Sequence, residues 1–273
     1  MKTIIAPTDF SPSANNAVDY AVELAKLFKT RIVLVNAYPI PETHYELGGS
    51  FELMSSIKNS SIDNLEQLKA QILMSNPEIE IDCISEMGHE YNVIVDAAIN
   101  ENADLIVMGT ADEPGFMKEN LFGSTAIEIA RNQEVPTFII PENVTYHNAN
   151  KISFACDMQD TEKTDLVYVA KYFAKMFEAE LDIVHIDDPE EEITINKATT
   201  SLFIERKLES VKHETFYITG KSIDKELESY FESHHTDVVL INPKKHNIFY
   251  RLFNHSITKE LVYNSHKPIL AIH

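Results

Sequence analysis

The most constraining feature of this 273-residue chain is an internal repeat. Residues 25–36, AKLFKTRIVLVN, align with residues 174–185, AKMFEAELDIVH. Further along each half, ADLIVMG at 103–109 aligns with TDVVLIN at 236–242. The repeat unit is more than a hundred residues long. This is too long for the unit of a solenoid, so the repeat predicts two copies of one domain. Positions at which the copies differ then become the main guide to function.

We predict one domain over residues 1–141, a second over residues 150–273, and a linker over residues 142–149. The segment that contains the linker, PENVTYHNAN, is polar, begins with proline and lacks hydrophobic periodicity. Each half has a common domain size and is long enough to bury its own core.

Short apolar runs alternate with amphipathic helical patterns in both halves. TIIAP at 3–7 predicts a buried strand. Ser11-Pro12 predicts the start of a helix, because serine caps free amides and proline presets φ. Further strands are expected at 31–37, 78–85, 104–109 and 137–140, and their counterparts in the second half are SFAC, LDIVHI, ETFYIT, DVVLIN and PILAI. This alternation predicts an α/β fold, a parallel sheet covered by helices on both faces.

The charge balance argues against polyanionic partners. The chain has 43 acidic and 23 basic residues, a formal net charge of -20, and such a field repels nucleic acid and anionic membranes. Apolar runs are too short to cross a bilayer, and Pro7 and Asp9 interrupt the N-terminal segment where a signal peptide needs apolar continuity. We therefore expect a cytoplasmic protein. Cys83 and Cys156 form no spacing motif and are interpreted as packed thiols.

Three separated segments carry a family resemblance: PTDFS at 7–11, DLIVMGT at 104–110, and FGS followed by VPTFII at 122–140. Together they resemble the universal stress protein family in its tandem form. The resemblance implies two Rossmann-like domains of the adenine-nucleotide alpha-hydrolase type, each a five-stranded parallel sheet of order 3-2-1-4-5. It also implies that the last strands, 137–140 and 268–272, pair to make the chain its own pseudo-dimer, and a homodimer of chains is a further expectation.

The resemblance also implies a ligand site. A sheet of this order binds ligands beyond the carboxyl ends of its strands, where the order reverses. ATP-binding members carry G-x2-G-x9-G-[ST] in the loop after the fourth strand, where glycines let amides approach phosphates. Matched position by position, the residues expected to border the adenosine are Pro7, Thr8 and Asp9, and those expected to line the adenine are Ala37 and Val107. The residues expected to hold phosphate and ribose are Gly109, Gly123 and Ser124.

One position departs from the motif. Asp112 replaces the middle glycine, and ten residues rather than nine separate it from Gly123. A carboxylate about 4 Å from a phosphate is repelled by about 1 kcal/mol in water and by more in a drier crevice. Three alternatives stay open: Mg²⁺ relieves the repulsion, Gly115 and the longer loop form a different cradle, or the triphosphate does not bind.

The second half departs further. Asn242 stands in place of the first glycine, His255-Ser256 in place of Gly-Ser, and Ala155-Cys156 in place of Pro7-Thr8. This pattern favours a degenerate copy. Cys156 with His185 is a conceivable zinc pair, but a packed thiol is preferred, and no histidine stands at a metal-ligand spacing.

The sequence therefore predicts a universal stress protein of the stress response whose first domain binds ATP or AMP as a regulatory ligand. No catalytic residue is predicted, because no nucleophile, metal motif or second acid accompanies Asp9. The alternative is a nucleotide-free interaction module in which both pockets are vestigial, and a slow ATPase is a third interpretation.

Overall fold

The computed structural model describes residues 1–39, 50–110, 124–156, 165–187, 204–219, 223–243 and 267–273. By its internal contacts the chain divides into two compact units. The main division falls between Tyr146 and His147. Among the described residues, no helix combines the length and the apolar character that crossing a membrane requires.

The first unit alternates strands and helices as expected. Its elements are β1 (Thr3–Pro7), α1 (Pro12–Phe28), β2 (Arg31–Tyr38), α2 (Ser50–Ser75), β3 (Ile81–Met87), α3 (Glu90–Asn100), β4 (Leu105–Gly109), α4 (Ser124–Asn132) and β5 (Thr137–Ile140). The strands are parallel and lie in the order β3-β2-β1-β4-β5. The predicted α/β fold and the strand order 3-2-1-4-5 are confirmed.

Helices cover the two faces of this sheet in pairs. The apolar side chains of α3 and α4 form one core cluster with alternate residues of the strands, among them Ile5, Val33, Ile106 and Met108. Helices α1 and α2 pack on the other face. Both faces are therefore buried, which explains why the strands read as continuous apolar runs rather than alternating ones.

The third strand begins later than the sequence indicated. The predicted strand at 78–85 is observed at Ile81–Met87, because α2 ends in a turn in which the Ile79 amide donates to the Asn76 carbonyl at 3.2 Å. Pro77 stands inside this turn, where its fixed φ favours a bend. Gly88 follows the strand, as expected.

The second unit repeats the first. It contains β6 (Lys151–Cys156), α5 (Leu166–Phe177), β7 (Glu180–Asp187), β8 (His213–Thr219), α6 (Ile223–Ser233), β9 (Val238–Ile241) and β10 (Ile269–Ala271), with a short helical stretch at 204–208. The order β8-β7-β6-β9-β10 reproduces that of the first unit. The helix expected near 257–264 lies outside the described residues.

One aspartate anchors the amino edge of each sheet in the same way. Asp104 Oδ2 accepts the amides of Lys2 and Thr3 at 2.6 and 3.1 Å. Asp237 Oδ2 accepts the amides of residues 150 and 151 at 2.7 and 3.0 Å. These aspartates are equivalent in the sequence repeat, so the duplication extends to single hydrogen bonds.

The predicted linker has no regular secondary structure, yet its first part is bound to the first unit. Asn16 Nδ2 donates to the carbonyl oxygens of Pro141 and Val144 at 3.1 and 3.0 Å. The ring of Tyr146 meets that of Tyr20 edge-on, with 5.0 Å between centroids. The chain up to residue 146 is therefore fastened to α1 rather than free.

Candidate functional site

The candidate site is the loop after β1, at the carboxyl edge of the first sheet. From β1 the chain turns into α1 on one face, whereas the chain leaving the neighbouring β4 leads to α4 on the other face. Connections that depart to opposite faces open a crevice between the two strand ends. The sequence-predicted residues Pro7, Thr8 and Asp9 lie at this crevice.

Local hydrogen bonds fix the shape of the loop. The Thr8 amide donates to the Val35 carbonyl at 2.8 Å, and Thr8 Oγ1 accepts the Phe10 amide at 2.9 Å. Asp9 Oδ1 accepts the Ser11 amide at 2.9 Å. Phe10 adopts the left-handed region with φ of 66°, a conformation that is costly for a bulky residue and is held here by these contacts. Pro7 and Thr8 are buried, whereas Asp9 is exposed at the crevice.

Three amides at and before the start of α1 donate to side chains of the same segment. Ser11 is the N-cap, with an extended backbone, and its Oγ accepts the Ala14 amide at 3.2 Å. The amides of Phe10 and Ser11 already donate to Thr8 and Asp9. The beginning of α1 is therefore a closed cap and offers few donors to an anion.

A buried polar chain, which sequence reasoning missed, supports the loop from behind. Asn36 Nδ2 donates to the Thr8 carbonyl oxygen at 2.7 Å. Ser61 Oγ donates to Asn36 Oδ1 at 2.5 Å and lies 2.6 Å from Ser85 Oγ. The signal in the sequence was a polar residue, Asn36, near the end of an otherwise apolar strand.

Gly109 is explained by packing alone. A β-carbon built there would lie 2.6 Å from the Ser13 carbonyl oxygen and 2.7 Å from its hydroxyl oxygen. The Ser13 hydroxyl in turn donates to the Thr110 carbonyl, which ties the first turn of α1 to the end of β4. Only glycine fits this contact, whether or not a nucleotide is bound.

The two residues expected to line adenine lie on opposite faces of the sheet. Ala37 packs against the α3 and α4 cluster, to which Ile106 and Met108 of β4 also belong. Val107, between those two, projects from the other face and is fully buried. The structure therefore brings Ala37, but not the side chain of Val107, to the face that α3 and α4 cover.

The structure describes the two ends of the predicted phosphate loop, which are Gly109 with Thr110 after β4 and the start of α4. Helix α4 begins at Ser124, as expected. Thr125 Oγ1 donates to Glu90 Oε2 at 2.8 Å, which joins the starts of α4 and α3. Residues 111–123, which include Asp112, Gly115 and Gly123, lie outside the described residues.

The equivalent edge of the second unit has a different chemistry. Cys156, His185 and Tyr217 occupy the strand positions that Thr8, Asn36 and Ser85 occupy in the first unit. Cys156 Sγ lies 3.4 Å from His185 Nδ1, and the His185 ring, fully buried, is 5.5 Å from that of Tyr217. A thiol, an imidazole and a phenol ring replace the polar chain.

Two titratable groups outside the crevice, the Cys83 thiol and the Tyr230 phenol, have perturbed pKa values. Within the described ranges, no three His, Cys, Asp or Glu side chains come together in a way that could hold a metal ion. Burial raises the pKa of the Cys83 thiol to about 11, so it stays protonated at neutral pH. Burial and the hydrogen bond donated to Asp182 at 2.8 Å raise the pKa of Tyr230, which therefore stays neutral as well.

Comparisons with known proteins agree with this fold. The sequence model of the universal stress protein family matches residues 1–141. Universal stress proteins from Methanocaldococcus jannaschii and Thermus aquaticus are 29% and 28% identical over 141 and 140 residues, which are 51% of this chain in each case and 81% and 98% of those proteins. A universal stress protein structure from Archaeoglobus fulgidus matches with a TM-score of 0.71 at 17% identity, covering 99% of this chain and 95% of that one. The chain therefore belongs to the universal stress protein family.

Proposed function

We propose that the first unit binds an adenine nucleotide, ATP or AMP, at the carboxyl ends of β1 and β4, as a regulatory ligand. The observation that carries the proposal is the rigid loop over residues 8–11, which lies at the reversal of strand order with the Asp9 carboxylate exposed. A carboxylate in this position suits the hydroxyl groups of a ribose, which donate hydrogen bonds.

Phosphate groups would be held on the other side of the crevice. Because the amides of Phe10, Ser11 and Ala14 already donate to side chains of the β1 loop, we expect the phosphates to meet the amino end of α4 and backbone amides between Gly109 and Ser124. A protein of net charge -20 has to hold phosphates through such amides or through a cation. The dependence of binding on Mg²⁺ is therefore part of the proposal.

The observation on Gly109 favours a second candidate, a nucleotide-free interaction module. The glycine that matches the ATP motif is required by its contact with Ser13, so its presence is not a sign of phosphate binding. Asp112 in place of the next glycine points in the same direction, because its charge opposes that of a phosphate.

Calorimetric titration of the whole chain with ATP and with AMP, each with and without Mg²⁺, separates these candidates. We expect one binding site per chain. Binding should be abolished in Gly123→Val and unchanged in Asn242→Ala, because Asn242 is the second unit's counterpart of Gly109. Absence of heat and of thermal stabilisation at millimolar nucleotide would favour the interaction module.

A further inference from the structure

The polar chain behind the β1 loop has a defined direction. Ser61 uses its proton on Asn36 Oδ1, so the Ser85 hydroxyl donates to Ser61 Oγ. The Asn36 amide group then donates to the Thr8 carbonyl. The chain of hydrogen bonds thus runs from β3 through α2 and β2 to the end of β1. Each donor in the chain fixes the orientation of the next polar group.

Burial makes this chain a strong constraint on the loop. Thr8, Asn36 and Ser61 are 5%, 6% and 5% exposed. In dry surroundings an unmade hydrogen bond is costly, so partners hold one another in a single geometry. Both backbone groups of Thr8 are bound, the amide by Val35 and the carbonyl by Asn36, and this fixes the peptide plane that leads into Asp9.

We infer that Asn36 and Ser61 are positioning residues for the nucleotide, which set the Thr8 peptide and thereby aim Asp9 at the adenosine. The inference rests on the proposed function of the first unit. We expect neither side chain to touch the ligand, since both lie behind the loop, among α2, β2 and β3.

The second unit provides an internal comparison. At the positions of Thr8, Asn36 and Ser85 it has Cys156, His185 and Tyr217, and its contact between the first two strands is a thiol–imidazole pair rather than an amide on a carbonyl. The positioning chain therefore occurs in the copy that keeps the Pro7-Thr8-Asp9 motif, and the copy that has lost Pro7 and Thr8 has different chemistry there.

Ser61→Ala tests the inference, with Ser153→Ala as the matched control. Ser153 is also a buried serine, and its hydroxyl lies 2.7 Å from Thr236 Oγ1 in the second unit, so the control removes the same group from the unit that does not carry the loop. In calorimetry well below the melting temperature, we expect Ser61→Ala to weaken ATP and AMP binding by about fivefold to tenfold, which is the effect of one lost hydrogen bond. Ser153→Ala should lower thermal stability but leave both affinities unchanged.

A second measurement needs no ligand. Amide hydrogen exchange in the nucleotide-free protein reports directly on the Phe10 and Ser11 amides, which the loop holds. We expect their exchange to accelerate by about fivefold in Ser61→Ala, to stay unchanged in Ser153→Ala, and to return towards the wild-type rate in Ser61→Thr, which keeps the hydroxyl.

The outcomes separate the two proposals. A wild-type chain that binds neither ATP nor AMP overturns the proposed function, whatever the variants do. Wild-type binding with equal affinity in Ser61→Ala, or unchanged exchange at both amides, overturns the positioning role and leaves nucleotide binding intact. Weaker binding together with faster exchange, in Ser61→Ala but not in Ser153→Ala, supports the inference.

Discussion

Gly109→Ala should destabilise the protein in the complete absence of nucleotide. The added β-carbon would lie 2.6 Å from the Ser13 carbonyl oxygen, and real β-carbons essentially never come within 3.0 Å of such an atom. The first turn of α1 must therefore move by about 0.4 Å or more. Movement is resisted there, because the Ser13 hydroxyl is bound to the Thr110 carbonyl and Ser13 is itself buried.

Forcing extra volume into a packed site of this kind costs about 1–3 kcal/mol. For a domain of this size, each kcal/mol lowers the melting temperature by about 4 °C, so we expect a fall of about 4–12 °C. Differential scanning calorimetry of nucleotide-free protein measures it directly.

Gly88→Ala is the control. A β-carbon at Gly88 would meet only a side-chain methyl group, Val93 Cγ2, at 3.0 Å, so we expect a loss below about 1 kcal/mol. Ser13→Ala should not rescue Gly109→Ala, because the shortest contact is to a backbone oxygen. A melting temperature for Gly109→Ala within about 1 °C of wild type would refute the packing explanation and favour a role for Gly109 in ligand binding.

Three further predictions concern the loop, the sheet edge and the thiols. Ser11→Ala should cost about 1 kcal/mol in urea unfolding through loss of the α1 cap, whereas an unchanged midpoint would mean that solvent caps the helix equally well. Asp104→Ala and Asp237→Ala should each cost about 1–2 kcal/mol, since each aspartate accepts two backbone amides, and a loss confined to one variant would contradict their equivalence. In a Cys156→Ser background, the reaction of Cys83 with a disulfide reagent should be slow at pH 7 and rise about tenfold per pH unit, levelling off only near the thiol pKa of about 11; a plateau below pH 9 would contradict the effect of burial.

The fold was predictable from the sequence because its signals are local. Ser11-Pro12 begins α1 where capping chemistry places it, and the alternation of apolar runs with helical patterns predicted the parallel α/β sheet. The order of the strands was implied by the family resemblance and not by the alternation. The bounds of β3, Ile81 and Met87, were harder to predict from the sequence. Ile79 and Glu80 continue the apolar–polar pattern of the strand although they belong to a turn.

The site was predictable only in part, because its contacts join distant residues. Ser61 meets Asn36 across 25 positions of sequence, and no spacing rule connects a serine in a helix to an asparagine in a strand. The opposite orientation of Ala37 and Val107 was also hidden, since strands buried on both faces carry no alternation that tells the faces apart. Gly109 matched a ligand motif, although its packing is sufficient to require glycine.

The paired aspartates have a consequence for how this duplicated chain can change. Asp104 and Asp237 accept amides of equivalent backbone segments at the amino edge of each sheet, which is opposite to the carboxyl edge. These hydrogen bonds do not depend on which residues stand at the carboxyl edge. Replacement of Thr8, Asn36 and Ser85 by Cys156, His185 and Tyr217 left the order of strands intact. The two copies therefore differ in chemistry at the carboxyl edge of the sheet and share the hydrogen bonds that hold its amino edge.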